Sequence, residues 1–194
     1  MKTLIISFVL IVIVQLTVPL KIIHDKQSPL IYGQEFTFKT EPIDPYDPFR
    51  GKYVTLSFSD NYLEMDEYKK WKYGETVYVQ FFEGEDGFAK IKSISKEIPE
   101  NSDYYLKSKV RTESFRRGSK EKYRVYIDYP FRRYYMEESK AKRAEILARN
   151  SARDETYDVS VVVHLYKGRG SIKKLQVNDT PMEEAVHHND YGHH

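Results

Sequence analysis

Carboxylates set among prolines and aromatics are the side chains of this chain with the most obvious capacity for chemistry. The first group stands in Pro42-Ile43-Asp44-Pro45-Tyr46-Asp47-Pro48-Phe49-Arg50-Gly51-Lys52-Tyr53, the second in Tyr129-Pro130-Phe131-Arg132-Arg133-Tyr134-Tyr135-Met136-Glu137-Glu138, with Glu145 following. Two acids facing one another across a cleft, one with a raised pKa, can divide the acid and base steps of a hydrolysis. The spacing also admits a structural reading. Proline holds the residue before it extended, so Asp44 and Asp47 lie in a stiff, non-helical lead-in where aspartate commonly closes turns through backbone amides. Glu137 and Glu138 open a helical pattern and complement its dipole. A polar site for a cation or for a partner's peptide, built on Asp44, Asp47 and Arg50, is the functional alternative; turn closure explains the same residues without one.

Other constellations are thinner. Ser57 and Ser59, with Lys90, Lys92 and Lys109 on later strands, could form a serine–lysine pair, yet the serine expected just beyond a membrane anchor is represented only by Ser28, before Pro29. His164 stands alone among valines. His187, His188, His193 and His194 crowd the end of the chain with Asp190, a set suited to casual binding of a soft divalent ion rather than to a closed metal site. Arginine and lysine alternate with aromatics at 116–135, which describes the wet face of a strand with cation–π contacts, a surface for anionic lipid, or a nucleic-acid surface. A net charge of +2 gives nucleic acid no electrostatic pull and ranks it last. No cysteine is present, which excludes disulfides, thiolate zinc sites and a cysteine nucleophile. No pattern calls for a cofactor.

The elements that must position these groups begin with Thr3–Leu20, TLIISFVLIVIVQLTVPL, an uncharged run with Gln15 as its main polar interruption. A helix of that length is close to the roughly 30 Å of a bilayer's hydrocarbon core. The run exceeds the apolar region of a cleaved signal, and no small-x-small triplet follows it, so residues 1–23 read as an uncleaved signal-anchor. Lys2 and the terminal amine favour an inside amino end and an extracytoplasmic body, against the opposing charges of Lys21 and Lys26.

Beyond the anchor the chain alternates apolar and polar residues in short aromatic-rich runs, the signature of half-buried strands. Strands are expected at 35–41, 53–58, 76–82, 88–95, 106–113, 122–129, 157–166 and 170–177, with hairpin turns at Gly84–Gly87 and at Gly168-Arg169-Gly170. Ala141, Ala144, Leu147 and Ala148 recur at helical spacing between Met136 and Ser151; a second, short helix is expected near Tyr62–Trp71. Breaks near 98–102 and 116–119 divide the body into two small β units. The fold class is mainly β (α+β): a transmembrane helix, then antiparallel sheets or barrel-like units with one packed helix over 24–180, and a flexible His-rich tail over 181–194.

The segment Pro42–Phe58 resembles the GDYXXLXY family of bacterial membrane-anchored proteins, named for a glycine–aspartate–tyrosine pattern. Gly51, Tyr53 and Leu56 match, while Lys52 replaces the aspartate and Phe58 the closing tyrosine. The likeness continues at Tyr129–Glu138, at Glu145 and around Gly168-Arg169-Gly170, so that it covers most of Leu4–Thr180. It implies no reaction; it implies a single-span protein working beside a multi-span membrane protein, and Lys52 cannot supply whatever the family's aspartate provides. The expected function is a membrane-anchored binding or accessory module, held to lipid by residues 1–23, with Asp44, Asp47, Arg50, Tyr53, Arg133, Tyr134 and Glu138 as binding residues; the alternative is an envelope hydrolase.

Overall fold

The fold was obtained as a computed structural model, which describes residues 2–40, 53–65, 71–117, 120–135 and 158–188. Helix α1 (Lys2–Tyr32) leads into β1 (Gln34–Lys39), β2 (Tyr53–Thr55), β3 (Tyr62–Met65), β4 (Thr76–Glu83), β5 (Ala89–Ser95), β6 (Tyr105–Arg117), β7 (Lys120–Asp128), β8 (Arg133–Tyr135), β9 (Val159–Tyr166), β10 (Arg169–Val177), β11 (Thr180–Pro181) and α2 (Met182–His188). The strands form three antiparallel sheets with orders β1-β9-β10-β11, β3-β7-β6-β4-β5 and β2-β8.

The two larger sheets share one core and meet at two corners, which makes a nearly closed barrel. At one corner Thr40 bridges to Phe58, and the Ser59 amide donates to the Lys39 carbonyl at 3.1 Å. At the other, the β9–β10 turn lies parallel to the start of β6: Lys107 N donates to Gly168 O at 2.9 Å, and Gly168 N to Tyr105 O at 3.0 Å. These bonds satisfy backbone groups that open sheet edges would leave bare. The core is aromatic. Phe38, 1% exposed, packs against Phe58, Phe81, Tyr129 and Phe131 with ring centroids 5.1–5.9 Å apart. Alternation delivers these rings: Phe36 and Phe38 from β1, and Val77, Val79 and Phe81 from β4. On β9, Val161, Val163 and Leu165 face this core, and Ser160 and Val162 on the opposite face are buried as well.

Helix α1 is long and apolar enough to span a membrane, and its apolar side chains from Leu4 to Ile23 are exposed, with Val12 half-buried among them. It does not stop at residue 23. Its 31 residues, about 46 Å of helix, run on to Tyr32 and seat their last turns on β9 and β10. Ser28 and Pro29 are buried there; Asp25 pairs with Arg169 at 2.9 Å, and the Ser171 hydroxyl donates to the Lys26 carbonyl at 2.8 Å. Tyr32 meets the ring of Tyr166 at 5.8 Å. Gly33 ends the helix because space allows nothing larger: a Cβ would lie 2.3 Å from the Pro29 carbonyl oxygen.

The strands expected from alternation are present, with four corrections. Tyr62–Met65 is strand, not helix, because pairing to β7 stacks Tyr62 on Tyr126 and sets Glu64 opposite Arg124. The break near 116–119 separates β6 from β7, which pair along their length, so it divides no domains. The β9–β10 turn is Lys167-Gly168, both with positive φ, while Arg169 and Gly170 already belong to β10. The segment expected to be a free tail begins as β11 and α2, with Met182 fully buried. The helix expected over Met136–Ser151 lies outside the described residues.

Gly170 packs against Phe131, and a Cβ there would fall 2.6 Å from two ring carbons. Gly170→Ala is expected to lose about 1–3 kcal/mol of stability through displacement of Phe131. Denaturant titration followed by tyrosine and tryptophan fluorescence measures this; an unchanged midpoint would show that the ring is not held as described.

Candidate binding site

The motif strand and the arginine–aromatic segment, far apart in sequence, lie side by side. In the β2–β8 pair Tyr53 faces Tyr135, Val54 faces Tyr134 and Thr55 faces Arg133, and the Leu56 amide extends the ladder by donating to Arg132 O at 2.8 Å. Beyond the pair, Leu56 and Phe58 are each 2% exposed, so the leucine and closing aromatic of the motif are core residues. Tyr129 and Phe131 anchor the other segment in the same core, with the Tyr129 hydroxyl donating to Asp60 O at 2.6 Å. Two buried rings on one side leave Arg132 and Arg133 exposed on the other.

The outcome is a cleft of about 800 Å³ between this segment, the start of β10 and the last turns of α1. Lys26 and Leu30 contribute the helical wall, Gly170 and Ser171 the floor strand, and Arg132, Arg133, Tyr134 and Tyr135 the opposite wall. Arg132 is held by Asp128 at 3.2 Å. The Tyr134 hydroxyl donates to the Glu183 carboxylate of α2. Burial, reinforced by that carboxylate, pushes the Tyr134 phenol well above the ordinary tyrosine value; burial does the same to Tyr129. Asp60 is raised by burial, opposed by the Ile91 amide that donates to it.

Of the residues proposed from sequence, the structure brings together Arg133, Tyr134 and the backbone of Tyr53. Asp44, Asp47, Arg50 and Glu138 lie outside the described residues, as do Glu137 and Glu145. For the serine–lysine alternative, Lys90 is paired with Asp86 at 3.1 Å, and no hydrogen bond joins it to Ser57 or Ser59 among the described residues. His164 is a sheet residue whose Nε2 lies 3.1 Å from Glu35, which Lys173 also contacts at 2.7 Å; the latter bond is the main reason Glu35 lies below its usual pKa. Among the described residues, no three histidines, cysteines or acids gather as metal ligands. Sequence reasoning missed Lys26 and Leu30 as cleft residues. Lys26 is legible as a flanking charge, but its place in the wall depends on α1 continuing past the apolar run.

The family profile for GDYXXLXY protein matches residues 15–175, and the chain belongs to that family. No curated protein and no solved structure matches the chain significantly.

Tyr134 ties β8 to α2, and Tyr134→Phe is expected to cost about 1–2 kcal/mol at neutral pH by leaving Glu183 without its donor. The folded chain keeps the Tyr134 proton above the ordinary value of 10.0, where the unfolded chain releases it. Its contribution is therefore complete below that pH and declines as pH rises beyond it. Thermal unfolding across the alkaline range should show a shallower loss for Tyr134→Phe than for the parent chain; parallel losses would remove Tyr134 from the cause.

Proposed function

We propose that this protein is a single-pass, membrane-anchored binding or accessory module of the bacterial envelope. Its β body lies outside the cytoplasm, and it works by pairing with a multi-span membrane protein. The observation that supports this reading most strongly is the polarity concentrated at Gln15 inside the apolar span. Its side-chain amide is exposed, and none of the described residues pairs with it. Pro19, four residues on within α1, has no N–H to give the Gln15 carbonyl. Thr17, by contrast, turns its hydroxyl back onto Ile13 O at 2.7 Å and satisfies itself. Hydrocarbon offers Gln15 nothing, whereas a neighbouring transmembrane helix with a polar group at the same depth offers both a donor and an acceptor.

Lys2, flanking the span on its amino side, favours keeping that side inside, which carries the body across. The exposed ring of Tyr135 on the cleft wall gives that body contact area at low entropic cost. Nothing in this reading requires turnover.

A photoreactive residue at position 15 in native membranes should yield a discrete adduct with one multi-span protein. Gln15→Leu, still inserted, should weaken co-purification of that protein about fivefold, the value of roughly one interhelical hydrogen bond. Adducts with lipid alone, or undiminished co-purification, would overturn the proposal.

A further inference from the structure

We propose that the cleft between the last turns of α1 and the Arg132–Tyr135 segment binds the phosphate of an anionic phospholipid headgroup. The inference rests on α1 spanning a membrane, but not on any protein partner.

Depth supports it first. Lys26 stands six residues beyond Leu20 on one continuous helix, about 9 Å past the end of the apolar run. The headgroup layer on each side of a bilayer is roughly 5–8 Å thick, so the Lys26 backbone lies just past it, close enough for a long side chain to reach back to a phosphate. The docking of α1 fixes the rest of the cleft relative to Lys26. Asp25 is tied to Arg169, the Lys26 carbonyl to Ser171, and Pro29 is buried against the sheet. A flexible stalk would let the cleft drift away from the lipid; this helix has no such stalk.

Charge and shape agree with depth. The lining of the cleft gathers Lys26, Arg132 and Arg133, with Asp128 engaged by Arg132 at 3.2 Å. Arginine presents a planar fork suited to phosphate oxygens, and lysine adds a point charge. Tyr135, 66% exposed beside them, has the amphipathic ring that favours the membrane–water boundary. A zwitterionic headgroup would bring its own cation into this basic cleft, so anionic lipid is preferred.

The test uses the full chain reconstituted in vesicles of equimolar phosphatidylglycerol and phosphatidylcholine. Flotation checks insertion, and native mass spectrometry reads the lipids retained. The parent chain should retain phosphatidylglycerol in clear excess. Lys26→Gln and Arg133→Gln should each cut that excess by up to about fivefold, the weight of one basic side chain near a charged surface. Lys92→Gln, an exposed lysine on β5, should leave it unchanged. Loss of the excess with Lys92→Gln as well would make the effect general electrostatics and overturn the site. So would an excess that survives in the double variant, Lys26→Gln with Arg133→Gln. If excess inorganic phosphate abolishes the preference and itself binds the detergent-solubilised chain with the same variant dependence, the ligand is soluble phosphate and the lipid proposal fails. A chain that does not float with vesicles overturns the anchored reading as well; a chain that inserts without lipid preference overturns this inference alone.

Discussion

The junction between α1 and the β9–β10 hairpin is the constraint on which the remaining features depend. Proline and glycine are common places for a helix to kink or end. Here Pro29 is instead buried against the sheet, and Gly33 N donates to its carbonyl at 2.8 Å. The absence of a side chain at Gly33 lets that carbonyl and the Leu165 carbonyl crowd the same point, and β1 starts from it directly. An ion pair and a side-chain hydrogen bond complete the attachment. The last of these fixes Lys26 beside β10, and so the cleft wall belongs partly to the anchor and partly to the body.

The body is stiff enough to use such an attachment because its core is a packed set of rings closed at two corners by backbone hydrogen bonds. Phe38 comes from β1 and Phe58 from the stretch just after β2, on either side of the motif's lead-in, and Tyr129 and Phe131 from the segment that leads into β8. The motif's leucine and final aromatic therefore have a packing role. Phenylalanine serves at position 58 because ring area, rather than a hydroxyl, is what the core takes up.

Most of the sheet was legible in advance because strand alternation is a local property: Val77, Val79 and Phe81, or Phe36 and Phe38, declare their face by spacing alone. Tyr62–Met65 was not, since four residues carry too short a pattern and their pairing with β7 is a tertiary fact. The ordered start of the tail was hidden for a similar reason: Met182 and Glu183 gain meaning only through the core and through Tyr134. For the site, the pairing of Tyr53 with Tyr135 is invisible to spacing, although the residue types in both segments marked them as related. Lys26 read as one more flanking charge because nothing local shows that a helix will continue past its apolar run.

Rigidity between anchor and body is open to one distance measurement. The chain contains no cysteine, so Ile11→Cys and Lys92→Cys introduce a unique pair of spin labels, one in the apolar helix and one on β5. Double electron–electron resonance on the full chain in bilayers should give a single narrow distance distribution, unchanged in detergent. A flexible coil over residues 24–33 would instead spread the separation on a scale of about 17 Å, and a distribution that broad would contradict a body held by its own anchor.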